Sequence, residues 1–250
     1  MRVLVVLPTY NEAENISAIL DRVRSALPEA GVLVVDDASP DQTAELAEKE
    51  GERLGQITVM RRPGKSGLGS AYRDGFSWGL ANGYEVMVEM DSDFSHDPDE
   101  LPFLVGAIEA GADLVIGSRY VPGGSIPNWS FSRRFISRAG NVFADVVLGL
   151  SVKDSTAGFR AYRASILERI DLGGVRANSY GFQIEMTYRT RQAGGKVREL
   201  PIRFVDRELG TSKMSTYTVL EALGLVSYWG LRRVLSALRR LGRGRAAAAA

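Results

Sequence analysis

The sequence of 250 residues contains no cysteine and a single histidine. The first absence excludes disulfides, zinc–thiolate centres and thiol nucleophiles together, and it is compatible with a reducing compartment. The second leaves any histidine base or Ser-His-Asp arrangement dependent on His96 alone. Long apolar runs are missing too. The best uncharged stretch, Ala222 to Leu231, falls short of the ~18 residues that a spanning helix needs, so no membrane crossing is expected. The apolar segment Val3 to Leu7 stops at Pro8, which is too short for a signal-peptide core. A formal net charge of +1 supplies no field that would gather a polyanion, so nucleic acid is not an expected partner.

Apolar residues make up 45% and charged residues 24%, values of an ordinary globular chain. The length suits one catalytic unit of about 200 residues with an appendage. Short β-branched runs alternate with helical patterns through the first half, the signature of βαβ units and a largely parallel sheet. Strands are expected over Val3–Leu7, Val32–Val35, Ile57–Met60, Glu85–Met90 and Asp113–Gly117. Helices are expected from Asn11 as N-cap with Glu14 reaching back, from Ser39-Pro40-Asp41-Gln42 to about Leu54, over Leu68–Ala81, over Asp99–Ala110 and from about Arg133 to Leu148. A last helix over about Ser215–Leu241 precedes a low-complexity end, residues 242–250, that is expected to be disordered and whose final alanines resemble added sequence. Six arginines (Arg232, Arg233, Arg239, Arg240, Arg243, Arg245) follow Glu221, the last acid, so this end is a local cationic tail.

The pair Asp91 and Asp93 directly follows an apolar strand. Carboxylates one residue apart at a strand end can face one hard cation such as magnesium or manganese, held jointly with substrate phosphates. A turn with two solvated aspartates reads the same way locally. Position favours a site, because in open α/β sheets ligands gather beyond the carboxyl ends of the strands. Three further polar clusters end strands here: Pro8-Thr9-Tyr10-Asn11-Glu12, Asp36-Asp37-Ala38-Ser39 and Gly117-Ser118-Arg119-Tyr120. The glycine-rich stretch Arg62 to Gly69 fails both phosphate-loop spacings, since Val59 and Tyr72 stand where glycine is required. A loop over a nucleotide and a plain strand-to-helix turn both stay open. His96 reads as a turn or helix-entry residue.

These residues carry a resemblance that covers the chain from Leu7 to about Lys213. The matching segments are Leu-Pro-Thr-Tyr-Asn-Glu (7–12), Asp-Asp-x-Ser-Pro-Asp (36–41), Gly-Leu-Gly-x-Ala-Tyr (67–72), Met-Asp-x-Asp-x-Ser-His (90–96), Arg133 with Ile136-Ser137-Arg138 and Asn141, and Phe-Val-Asp-Arg-x-x-Gly-x-Ser-Lys (204–213). The sequence closely resembles the dolichyl-phosphate and polyprenyl-phosphate mannosyltransferases, inverting enzymes of the GT-A fold. The resemblance implies an α/β three-layer, Rossmann-like sandwich with a mostly parallel central sheet, plus a carboxyl-terminal amphipathic helix. Residues 1–210 would form the catalytic domain, with a nucleotide- and metal-binding half (1–120) and an acceptor half (121–210), and residues 211–241 the helix.

By the same resemblance, Pro8, Tyr10, Glu12, Asp36 and Asp37 hold the nucleotide, with Lys65, Gly69 and Ser92 beside it. Asp91 and Asp93 hold Mg2+ or Mn2+ bridging its diphosphate. Ser95 occupies the place of a glutamine that reaches the metal in some members. Arg119, Arg133 and Arg207 contact acceptor or donor phosphate with Lys213 nearby, and these arginines with the two aspartates carry the reaction. Gln183 and Glu185 shape the acceptor site. Arg134, Arg138 and Arg160 read as surface ion pairs. The implied reaction moves mannose from GDP-mannose to a polyprenyl phosphate, with UDP-glucose as the alternative donor and a sugar-nucleotide pyrophosphorylase or a non-catalytic subunit as remoter readings. A phosphate acceptor is already anionic and attacks without losing a proton, which agrees with the lack of a histidine base. The last helix, with Val226, Trp229 and its arginines, either packs on the domain or lies in lipid headgroups. A lipid acceptor tips that choice toward reversible attachment to the cytoplasmic face of a membrane, with or without a separate anchor subunit.

Overall fold

Strands rich in valine and leucine alternate their side chains between two helical layers, and that alternation builds the core. The structure, a computed structural model, describes residues 1–177, 180–205 and 223–233. Its elements are β1 (Val3–Thr9), α1 (Ile16–Ala26), β2 (Gly31–Asp36), α2 (Thr43–Leu54), β3 (Ile57–Arg61), α3 (Leu68–Ala81), β4 (Val86–Glu89), α4 (Leu101–Glu109), β5 (Leu114–Ser118), α5 (Phe131–Leu148), β6 (Arg160–Arg163), α6 (Ala164–Arg169), α7 (Tyr180–Gln192) and β7 (Val197–Pro201). The sheet runs β3-β2-β1-β4-β6-β5-β7. Every pairing is parallel except those of β6, which lies antiparallel between β4 and β5 and sets Arg160 opposite Glu89.

Along β1, Val3, Val5 and Leu7 face Ile16, Ile19, Leu20 and Val23 of α1 together with Leu101 and Leu104 of α4. Leu4 and Val6 face Tyr72 and Phe76 of α3 and Phe182 of α7 on the other side. Each of these buried aliphatic and phenylalanine side chains contributes up to about 1.5–3 kcal/mol relative to exposure. Helix α3 sits close because glycine faces the sheet: a Cβ on Gly75 would stand 2.6 Å from Val6 Cγ1, and one on Gly79 2.8 Å from Leu4 Cδ2. The close approach brings the start of α3 to the end of β4.

Two expected helix starts are corrected. Asn11 caps no helix; it has φ of 60°, and α1 begins at Ile16. Nor does Ser39-Pro40 open a helix, since Gln42 is left-handed and α2 begins at Thr43. Instead the Ser39 and Asp41 side chains serve the partner loop: the Asn11 backbone N–H donates to Ser39 Oγ at 3.0 Å and the Ala13 N–H to Asp41 Oδ2 at 3.0 Å. Those bonds tie the two loops at the ends of β1 and β2 together.

The last helix is described only over residues 223–233. There Val226 is buried and Trp229 stacks on Tyr188 with ring centroids 6.2 Å apart. Arg233 reaches the Val147 carbonyl near the end of α5. Trp229 thus packs against the domain while staying partly exposed, so packing on the domain and contact with lipid headgroups are compatible for this helix. Arg239, Arg240, Arg243, Arg245 and the disordered tail expected over residues 242–250 lie outside the described residues.

Candidate active site

At the ends of β1 and β2, buried carboxylates organise the backbone. Asp36 accepts from Thr9 Oγ1 at 2.9 Å, Ser39 N–H at 2.9 Å and Ser39 Oγ at 2.6 Å. Asp37 accepts from Arg62 at 2.6 Å and from Ser66 N–H at 3.1 Å, which draws the glycine-rich loop over the strand ends. Lys65 lies over the Tyr10 ring at 4.0 Å, Glu12 accepts from Asn15, and Gly69 is buried in the first turn of α3. The Pro8 carbonyl accepts from Ser92 Oγ at 3.3 Å. The expected nucleotide-binding residues therefore surround one strand edge, together with the carboxylate pair. Arg207 and Lys213 lie outside the described residues.

The turn after β4 is built to present Asp91 and Asp93. Phe94 adopts φ of 59°, and Ser95 N–H donates to Asp93 Oδ1 at 3.0 Å. Asp91 N–H donates to His96 Nδ1 at 3.3 Å. His96 is buried and stacked on Phe159 at 5.1 Å. It is more than a turn residue: packing makes it the inner support of the Asp91 backbone. Tyr72 reaches Asp91 Oδ1 at 3.5 Å; burial, then the charges of Asp91 and Glu89, raise its pKa well above the usual value, so it stays a proton donor.

Two carboxylates on oxygen-rich backbone, with the Ser95 hydroxyl buried and lacking a hydrogen-bond partner among the described residues, suit a hard divalent cation. No cluster of three acidic or imidazole side chains occurs among the described residues, so such an ion would take its remaining ligands from substrate phosphate and water.

Beneath this turn lies a polar core that the sequence reading missed. Arg160, expected on the surface, is fully buried and donates to the carbonyls of Ala157 (2.6 Å), Ser155 (2.7 Å) and Gln183 (2.9 Å) and to Thr187 Oγ1 (2.9 Å). Glu89 accepts from Gln183 Nε2 at 2.7 Å. Burial pushes the Glu89 pKa up to about 8 against the pull of Arg160, Gln183 and Tyr162. Gln183 Nε2, Asp91 Oδ2 and His96 Cε1 all lie 3.8–4.0 Å from where a Cβ on Gly158 would stand, so the glycine leaves the amide facing the carboxylate. An acid inside the run Val86-Met87-Val88-Glu89-Met90 was the available signal.

Glu89 makes a pH prediction. Its folded pKa exceeds the unfolded 4.5, so between these values the folded state binds the extra proton and stability falls as pH rises. In metal-free protein, Glu89→Gln is expected to flatten the decline in Tm between about pH 5 and 8; an unchanged Tm-against-pH curve would show that Glu89 is ionised throughout.

Arg119, expected at a phosphate, is buried and forked onto Asp154 at 2.8 and 2.7 Å, with Thr156 Oγ1 at 2.9 Å. Its guanidinium also lies 5.4 Å from the Trp129 ring and 5.5 Å from the Phe204 ring. Arg133, in the first turn of α5, lies 3.9 Å from the same Trp129 ring. Phe204 meets Trp129 edge-on at 5.9 Å and His96 at 5.5 Å, so a row of rings runs from the Asp91 turn to the two arginines. Among the described residues Arg134 and Arg138 form no ion pair: Arg134 donates to the Ile126 carbonyl and Arg138 covers Tyr120. Gln183 faces the site through its amide. Glu185 does not; its buried carboxylate is taken by Arg189 at 2.8 Å and the N–H groups of Arg176 and Ala177, which fixes the loop before α7. Helix α5 leaves Phe131, Phe135, Ile136, Val142 and Val146 exposed.

Residues 4–171 match the model of the family "Glycosyl transferase family 2". The chain belongs to glycosyl transferase family 2. This family 2 chain is 52% identical over 243 residues to the undecaprenyl-phosphate mannosyltransferase of Micrococcus luteus, covering 97% of itself and 100% of that protein. It is 49% identical over 239 residues to the polyprenol monophosphomannose synthase of Mycolicibacterium smegmatis, covering 95% and 90%. Among solved structures, the glucosyl-3-phosphoglycerate synthase of Mycobacterium tuberculosis in complex with Mn2+, UDP-glucose and phosphoglyceric acid matches with a TM-score of 0.63 at 20% identity, over 94% of this chain and 79% of that one. The fold of the family 2 chain is the GT-A fold, as the sequence reading implied.

Proposed function

We propose that the chain transfers mannose from GDP-mannose to a polyprenyl phosphate, giving polyprenyl-phosphate mannose and GDP. The observation that carries this reading is the single row of rings joining a metal-suited carboxylate pair to a cluster of arginines, because the reaction needs one anion held to a cation and a second anion held to guanidinium. The names of the relatives from Micrococcus luteus and Mycolicibacterium smegmatis support the sugar and the lipid class.

In the proposed mechanism Asp36 and Asp37 shape the nucleotide end, and Asp91 and Asp93, with Ser95 beside them, would hold Mg2+ or Mn2+. When bound there, such an ion would offset the negative charge that develops on the departing diphosphate. Arg119 and Arg133 receive the acceptor phosphate, whose oxygen forms the new bond to the anomeric carbon from the opposite face as the bond to GDP breaks. No base is required, since the acceptor oxygen is already anionic. Gln183 Nε2 borders the sugar beside Asp91.

No helix among the described residues is long and apolar enough to cross a membrane. The exposed apolar face of α5, with Arg134 and Arg138 among its side chains, supports seating on a lipid surface from which the acceptor enters at Arg133. The proposed attachment is chiefly through α5. The proposed location is the cytoplasmic face, with or without an anchor subunit.

A transfer assay with labelled GDP-mannose or UDP-glucose and a short polyprenyl phosphate tests the reading. Label should pass from GDP-mannose only, and EDTA should stop it. Transfer from UDP-glucose alone would overturn the donor, and undiminished transfer in EDTA would overturn the metal.

A further inference from the structure

We propose that Trp129 is a positioning residue for the acceptor phosphate, holding Arg133 in place beside Arg119. The proposal rests on the reading of these two arginines as the phosphate subsite. Trp129 is 8% exposed although it belongs to no helix or strand, directly before the α5 N-cap Ser130. Its ring lies close to both guanidinium carbons, at 3.9 Å from Arg133 and 5.4 Å from Arg119. Arg119 is forked onto buried Asp154, and Arg133 projects from the first turn of α5 with its guanidinium over the indole face.

A long side chain at a helix surface samples many rotamers, and an indole face, which attracts cations through its quadrupole, narrows that sampling. Phe204, edge-on to the indole at 5.9 Å, holds the ring itself. The result is a guanidinium prepared before the lipid phosphate arrives, which lowers the ordering cost of binding. A residue acting in this way changes how well acceptor binds without touching the sugar nucleotide.

The experiment compares Trp129→Leu, Trp129→Phe and Arg133→Ala in the full chain, measuring KM separately for GDP-mannose and a short polyprenyl phosphate, with kcat and Tm. Trp129→Leu is expected to raise acceptor KM about 10-fold with donor KM unchanged. Trp129→Phe, which keeps a ring face, should recover most of that loss. In the Arg133→Ala background Trp129→Leu should add little, because the side chain it positions is gone. If Arg133→Ala raises acceptor KM and Trp129→Leu does not, the arginine reading stands and the tryptophan proposal is overturned. If neither changes acceptor KM, the phosphate subsite itself is wrong. If Trp129→Leu lowers Tm and raises both KM values with no recovery in Trp129→Phe, the indole is a packing residue only.

Discussion

Asp91→Asn and Asp93→Asn are each expected to lower sugar transfer by roughly 100- to 1000-fold, the scale seen when one charge-stabilising group is removed from an active site, with little change in Tm. Asparagine keeps the shape and an acceptor oxygen but loses the charge. Asp91 is 28% exposed at its side chain and its backbone is held by His96, so the turn survives the change. Asp93 Oδ1 accepts from Ser95 N–H, a bond that the asparagine oxygen can also accept. The substitutions are therefore expected to weaken cation binding far more than the fold. The measurement is turnover at limiting Mn2+ together with Mn2+ affinity in the presence of GDP. Near-normal turnover of either variant would remove the metal assignment, and an equal loss in Mn2+ affinity and turnover would support it.

Asp154→Ala is expected to be the most destabilising single change in the acceptor half. Asp154 is fully buried and accepts both prongs of Arg119 and the Arg119 backbone N–H. Removing the partner leaves a guanidinium buried without its counter-charge, at a cost of about 3–5 kcal/mol, or a fall in Tm of roughly 6–20 °C for a chain of this size. Burial alone would raise the Asp154 pKa, but the charge and hydrogen bonds of Arg119 outweigh it and hold the carboxyl below its usual 3.8. A depressed carboxylate stabilises above its unfolded pKa and loses that contribution as pH falls through the folded value. Asp154 thus stabilises fully at neutral pH and fails only in strong acid. Thermal melts of the parent and Asp154→Ala should differ most above about pH 5 and converge as pH falls through the lowered Asp154 pKa. A Tm change under about 1 °C at pH 7 would mean that the pair contributes no net stability.

What could be read from the sequence divides along local and non-local lines. Helix α3 was placed at its observed bounds because Gly67 and Asn82 punctuate a periodic run, and the five strands were found because their apolar runs are self-contained. The carboxylate pair was legible for the same reason: its spacing and its strand lie within a few residues. Arg160 was misplaced because its carbonyl cage comes from residues 155, 157 and 183, which only the fold assembles. Glu185 likewise read as a site residue until Arg189 and the loop before α7 came to lie around it. The fork of Arg119 on Asp154 joins residues thirty-five positions apart, and no local pattern announces that pairing.

The place of β6 between β4 and β5 bears on how the chain assembles during synthesis. Strands β1 to β4 leave the ribosome well before Arg160–Arg163, and amino-terminal elements generally fold first. A β4 edge without β6 would leave Glu89 open to water, where a carboxyl is ionised at neutral pH. In the folded chain β6 sets Arg160 opposite Glu89, and burial there favours the protonated carboxyl. Pairing of β6 with β4 is therefore linked to proton binding at Glu89, two residues before the carboxylate turn.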